Sequence, residues 1–390
     1  MAFGRSQCTL AYKFQMKNYY RNIILPRVVF IPFLIARIII ELLNLFTYNK
    51  FIEKNIKPTK LCLESGIKGW NLIEYKELFS SAIEYLGEEN ILKISISKEL
   101  SYYEQVSFAV KKYKPTHYLY DSRTGDQHWF YGLIQAFRLS ILFQLYGVVP
   151  ICTLTDLPVR RWRTQTAVVS AKRGVVVSLM SPKNIFTIFP HSRIIGPLTM
   201  PFSIKTVKYL DTLITDTCNN IRDKSIIFTG SLYEPRTTIL NTIQEGLRTR
   251  GIELELKGRS LGTKKFSDED YWVGLVNATM VITTANQISS AQTDWAWISH
   301  LIYRYLEVPI AGSVLVAQEV PSLRRYFVPG VHYIAYKNTE DAIKKIEYYW
   351  HNPQELSQIA SQGREKAKSL VFSNLYWICV DIGLRNNSLL

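Results

Sequence analysis

The chain has 390 residues, 47% of them hydrophobic and 20% charged, with a formal net charge of +15. That length and apolar content describe two compact globular domains and argue against a disordered or low-complexity protein. Five cysteines, Cys8, Cys62, Cys152, Cys218 and Cys379, lie far apart with no CxxC among them, so no disulfide framework or cysteine metal cluster is expected and a reducing compartment fits.

Residues 22–46 read NIILPRVVFIPFLIARIIIELLNLF, long enough to span a hydrocarbon layer of roughly 30 Å. Pro26 and Pro32 interrupt the run, and Arg37 and Glu41 near its middle would each cost about 2.5 to 3.5 kcal/mol to insert, less when paired at i,i+4. Basic residues flank both ends, with Lys13, Lys17 and Arg21 before and Lys50, Lys54, Lys57 and Lys60 after, so no crossing direction is favoured. The expectation is a helix lying in the cytoplasmic membrane interface, with Phe33, Ile38, Leu42 and Leu45 in the acyl boundary and the cations on anionic headgroups. A core helix and a single-pass span are the alternatives. The first 60 residues hold ten Lys and Arg against Glu41 and Glu53, a local charge of +8. An anionic membrane surface is the partner this asymmetry suggests; no nucleic-acid motif accompanies it. No small-residue cleavage site follows the run, so a removable signal peptide is not expected.

Beyond Lys60 short apolar runs alternate with helical patterns, the signature of parallel sheets covered on both faces. A first series predicts strands at Leu61 to Leu63, Ile91 to Ile96, His117 to Tyr120, Val148 to Leu154 and Val175 to Leu179. It includes an apolar helix from Trp129 to Leu145, expected as buried core. A second series predicts strands at Ile226 to Thr229, Glu253 to Leu256, Val281 to Thr284, Val314 to Ala317 and Tyr333 to Ala335. Pro190, Pro197 and Pro201 mark the join. The predicted architecture is α/β, with a basic segment at 1–59, a Rossmann-like domain at 60–200, a second at 201–370 and a closing helix at 371–390. The cleft between the two domains is the expected site.

Candidate residues cluster at strand ends. In FTGSLYEPR, residues 228–236, a strand ends in Gly230 and Ser231 and a helix starts near Arg236, which together suit an anion through backbone N–H groups, the helix dipole and a bidentate guanidinium. The next strand ends in Lys257, Gly258 and Arg259; two cations at neighbouring strand ends suit a diphosphate leaving group in a site without metal. The run Asp268, Glu269, Asp270 is read as a helix cap. Glu307 is an acid on an otherwise apolar turn with Leu306, Val308 and Ile310, so burying it calls for donors, and a ribose diol supplies a pair. Gly312 and Ser313 follow, where backbone can come close to a ligand, and Arg304 joins the donor-binding set. In the first series Asp121 closes one predicted strand and Asp156 another, with His128 between them. These three are the candidate proton acceptors; helix caps and a packed imidazole ring are their structural alternatives.

With those residues in place, the stretch from about Ser225 to Leu370 resembles the group 1 nucleotide-sugar glycosyltransferases, particularly their spore-maturation-protein-like branch. FTGSLYEPR, RYLEVPIAGSVLVA and FVPGVHYIAYKNTEDAIKKIEYYWHNPQELSQIASQGREKA carry the likeness. The resemblance implies a GT-B arrangement of two facing Rossmann-like domains, contact of Glu307 with the donor ribose, and Gly312 and Ser313 beside the diphosphate. It also implies a last helix crossing back to the first domain and no metal or other cofactor beyond the nucleotide-sugar co-substrate. Where many relatives carry a second glutamate eight residues earlier, this chain has Ser299. The implied activity is sugar transfer to a lipid-linked or cell-surface glycan acceptor at the cytoplasmic membrane face, with a catalytically silent protein of the same fold as the alternative.

Overall fold

The computed structural model describes residues 60–65, 73–97, 99–121, 129–154, 160–170, 174–179, 193–218, 224–232, 234–259, 267–284 and 301–385. The apolar run at 22–46, Asp156, His128 and Ser299 lie outside these residues. Among the described residues no helix is long and apolar enough to cross a membrane.

The first domain is a six-stranded parallel sheet of β1 (Leu61–Ser65), β2 (Ile91–Ser95), β3 (His117–Tyr120), β4 (Val149–Leu154), β5 (Val175–Ser178) and β6 (Arg193–Ile195), in the order β2-β1-β3-β4-β5-β6. The second is a five-stranded parallel sheet of β7 (Ile226–Ser231), β8 (Leu254–Arg259), β9 (Met280–Thr283), β10 (Val314–Gln318) and β11 (Ile334–Tyr336), in the order β11-β10-β9-β7-β8. Helices α1 (Ile73–Leu86), α2 (Tyr102–Tyr113), α3 (Trp129–Leu145) and α4 (Arg160–Ser170) connect the first sheet. The second sheet is served by α5 (Ile204–Cys218), α6 (Arg236–Arg248), α7 (Asp268–Asn277), α8 (Arg304–Ile310), α9 (Thr339–His351) and α10 (Pro353–Phe372), and α11 (Leu375–Arg385) closes the described chain.

The central strands β3, β4, β5, β9 and β10 are buried along almost their whole length because both sheet faces are covered there, and alternation along each strand sorts side chains between layers. Leu61 and Leu63 of β1, Val175 and Val177 of β5 and Ile227 of β7 enter one cluster that continues through α1, α8 and α11 and belongs to both domains. Cys62 and Val176, from the same strands, point into a separate layer under α2 and α3. Ile226 and Phe228 point into a third, under α6 and α9.

The join is a helix-capping arrangement. The first N–H groups of α5 have no partners within the helix; Glu77 of α1 accepts from Ser203 N at 2.8 Å, and Glu84, two turns further along α1, accepts from Ile204 N at 2.7 Å and Lys205 N at 2.8 Å. Two carboxylates at the positive end of α5 also complement its dipole. At the other end of the chain α11 packs on the first domain: Trp377 Nε1 donates to Ser81 Oγ at 3.1 Å, and Tyr85 donates to Asp381 at 2.9 Å.

Every predicted strand has its counterpart within a few residues, and β6 is a further strand that the sequence reading missed. Helix α3 corrects the expectation of a buried core helix. Ala136, Leu139, Leu142 and Phe143 are buried, but Ile134 and Leu145 on its outer side are 40% and 63% exposed.

Candidate active site

The helices following each parallel strand run back antiparallel to it, so the carboxyl ends of the strands and the starts of the next helices share one edge. On the second domain that edge holds Gly230 and Ser231 at the end of β7, Thr284 just beyond β9, and Arg236 and Arg304 at the starts of α6 and α8. Arg236 is 7% exposed. Its Nε donates to Thr284 Oγ1 at 3.0 Å and its Nη1 to the Ser231 carbonyl at 3.0 Å, which aims the guanidinium along the strand ends.

Arg304 meets the same place from the other side. The guanidinium carbons of Arg236 and Arg304 lie 5.8 and 5.7 Å from the ring centre of Phe228, so one aromatic side chain lies beside both cations. Gly230 has φ +140°, and a Cβ placed there would stand 2.5 Å from Arg304 Nη2. The backbone angle favours glycine at that position, and any larger residue would also have to push the guanidinium aside. Among the described residues, Arg304 Nε is buried without a hydrogen-bond partner. Two guanidinium groups gathered at one strand end repel each other unless an anion lies between them.

One turn along α8 from Arg304 stands Glu307, 5% exposed, accepting a hydrogen bond from the Tyr271 hydroxyl of α7 at 2.8 Å. Burial pushes its carboxyl up to about 8, against the pull of Arg304 and the Tyr271 hydrogen bond; Glu74 and Glu77, on α1 of the first domain, add to the rise. The carboxylate therefore faces the seam between the domains, with acids of the opposite domain in its field. The phenol of Tyr271 is driven well above its ordinary range, first by its own burial and then by Glu307. Asp268, in the first turn of α7, forms an ion pair with Lys76 of α1 across the same seam. The acidic run at 268–270 is a helix start as read from sequence: Ser267 is the N-cap and accepts from Asp270 N at 3.0 Å.

Other predicted residues are not in this group. Gly312 and Ser313 sit at the far end of α8, at the amino edge of the sheet, where Val314 pairs with Met280, the first residue of β9. Gly312 has φ +79° and ends the helix, its N–H donating to the Pro309 carbonyl at 2.9 Å. Ser313 Oγ is spent on the carbonyls of Leu275 and Ala278. Their expected place beside a diphosphate is thus corrected to a helix stop and a loop clamp. Lys257, on the edge strand β8, pairs with Glu255 at 3.1 Å. Asp121 follows β3 at the carboxyl edge of the first sheet, 5% exposed, and accepts from Tyr75 and, at 3.3 Å, from Thr153. Sequence reasoning missed Tyr271 and Thr284. Neither has a sequence signal, because a lone tyrosine on a helix and a threonine after a strand become partners of Glu307 and Arg236 only through the fold.

The arrangement of two parallel-sheet domains is a fold shared with solved glycosyltransferases. HepE of Anabaena, solved in complex with UDP and glucose, superposes with a TM-score of 0.51 at 12% identity over 82% of this chain and 97% of its own. A glycosyltransferase from Rickettsia africae ESF-5 superposes with a TM-score of 0.51 at 11% identity, over 84% and 98%. Residues 269–370, which contain Tyr271, Arg304 and Glu307, match the family described as glycosyl transferase-like. No curated protein matches the chain in sequence.

Proposed function

We propose that the chain is a glycosyltransferase that takes a sugar from a nucleotide-diphosphate donor bound between its two domains. The observation that carries this reading is the convergence of Arg236 and Arg304 beside Phe228 at the end of β7, with Arg304 against Gly230 and Glu307 one helical turn further along α8. The family match over 269–370 and the fold shared with a UDP-bound structure support it.

In this reading the two ribose hydroxyls of the donor each donate a hydrogen bond to the Glu307 carboxylate, adding to the one from the Tyr271 hydroxyl. The guanidinium groups of Arg236 and Arg304 hold the diphosphate and take up the charge that develops as the bond from the anomeric carbon to the phosphate oxygen breaks. An acceptor hydroxyl forms the new bond to that carbon and loses its proton to a carboxylate or imidazole of the first domain, for which Asp121, Asp156 and His128 are the candidates. Closure of the domains supplies the alignment. The nucleotide-sugar is a co-substrate, and no resident cofactor is invoked.

We assign the donor to 201–370, the acceptor to 60–200 and a closing segment to 371–390, within which α11 spans Leu375–Arg385. A lipid-linked or surface-glycan acceptor at the cytoplasmic membrane face fits the basic, apolar segment at 1–59. Ser299, standing where relatives have a second glutamate, favours a second reading, a silent protein that keeps the fold. Mass-spectrometric detection of released nucleotide across a panel of nucleotide-sugars, for the native chain and Glu307→Ala, separates the two. Release by the native chain that the substitution cuts by at least about a hundredfold supports the enzyme. No release from any donor supports the silent protein.

A further inference from the structure

We propose that the outer face of α2 and α3 is a membrane-seating surface, which lays the first domain on an anionic lipid bilayer independently of residues 22–46. The inference rests on the reading of a lipid-borne acceptor.

A helix on the outside of an α/β domain ordinarily turns polar residues to water. Helix α3 does not: Ile134 and Leu145 project from its outer side at 40% and 63% exposure, with Arg138 one turn after Ile134. On neighbouring α2, Phe108 is 60% and Tyr113 40% exposed. Arg138 joins the two helices, its guanidinium carbon 3.8 Å from the ring centre of Tyr103. Lys112 Nζ lies 5.2 and 5.0 Å from the ring centres of Phe108 and Tyr113, with Lys111 and Lys114 beside it. No acid occurs from Gln105 to Tyr120 or from Trp129 to Thr155; Glu99 and Glu104 stand at the start of α2. Apolar and aromatic side chains interleaved with cations make an interfacial surface.

Charge decides what covers it. The chain's own first 60 residues carry +8, the same sign as Lys111, Lys112, Lys114 and Arg138, so they offer this face no charge complementarity. A second copy related by a two-fold axis would set these cations against themselves. Anionic headgroups attract them. The placement also serves the proposed reaction, because α3 follows Asp121 and its 17 residues run about 25 Å away from the cleft edge. A bilayer along α3 would hold lipid headgroups near that edge.

The test is co-sedimentation of the full chain with phosphatidylcholine vesicles, with and without phosphatidylglycerol. The native chain is expected to bind the anionic vesicles preferentially. Phe108→Glu with Leu145→Glu, and separately Lys112→Glu with Arg138→Glu, should each lower partitioning at least about tenfold; Tyr348→Glu, at an exposed site on the second domain, should leave it unchanged. The second pair replaces exposed cations only, so it answers the question if the first pair fails to fold. Native-like binding by both pairs would overturn the proposal and leave residues 1–59 as the anchor. So would equal binding to neutral vesicles, or a native dimer that either pair dissociates in light scattering. Failure of the glycosyltransferase reading shows instead in nucleotide release from soluble donors and leaves this partitioning untouched.

Discussion

Arg304 lies directly on Gly230, so that a methyl group added to the glycine would stand 2.5 Å from Nη2. With φ at +140° as well, Gly230→Ala strains the backbone and pushes the guanidinium aside, and a loss of roughly 1–3 kcal/mol of stability is expected in urea unfolding. The displaced guanidinium should also weaken nucleoside diphosphate binding by about tenfold in calorimetric titration. An alanine that costs neither would mean that Arg304 is free to lie elsewhere.

Glu307 makes donor binding pH-dependent. Its carboxyl is raised to about 8 in the free protein, while two ribose hydroxyls donating to it favour the ionised form. Binding below pH 8 must therefore release a proton, and nucleotide affinity should rise as pH climbs from about 6.5 to 8, then level. Glu307→Gln should flatten that dependence over the same range. Stability moves the opposite way: a carboxyl raised by burial is protonated in the folded chain while already ionised in the unfolded one. Its contribution is therefore lost progressively as pH rises from about 4.5 towards 8. A thermal unfolding series should show this fall in the native chain and less of it in Glu307→Gln.

Tyr271→Phe removes the hydroxyl that donates to Glu307 at 2.8 Å. That bond lowers the Glu307 carboxyl, so its loss should move the midpoint of the affinity–pH profile to more alkaline values. Leaving a buried acceptor short of a donor should also cost about 1–3 kcal/mol. A midpoint that stays put would separate the two residues.

Glu77→Ala tests the join between the domains. The carboxylate accepts from Ser203 N at 2.8 Å and Thr206 Oγ1 at 2.6 Å, and burial raises it above the ordinary glutamate range. Removing it takes the acceptor from Ser203 N and Thr206 Oγ1 while Glu84 still caps Ile204 N and Lys205 N, with an expected loss of roughly 1–2 kcal/mol in urea unfolding. Nucleotide binding should survive, since Glu77 makes none of the contacts around Gly230.

The central strands β3, β4, β5, β9 and β10 were legible because they lie almost wholly buried on both faces and so read as continuous apolar runs. β3, HYLY, has the bounds expected for it, with all four residues buried. β6, RII, escaped notice because three half-buried residues carry no pattern. The outer stripe of α3 was misread, since a helix apolar all round looks the same in sequence whether its last face meets a core or another apolar medium. At the site, Arg236 and Gly230 are named by one local motif, strand, glycine and helix. Gly312 was misplaced because a glycine after a helix signals a sharp stop as readily as a ligand contact. Tyr271 and Thr284 depend on which elements the topology makes neighbours, 36 and 48 residues away in sequence.

The most direct test is calorimetric titration of a panel of nucleoside diphosphates into the native chain, Arg236→Ala and Glu307→Ala. Binding of at least one nucleotide to the native chain is predicted, weakened at least about tenfold by either substitution. Native-like affinity in both variants, or no binding of any nucleotide, would contradict a donor site built from these two residues.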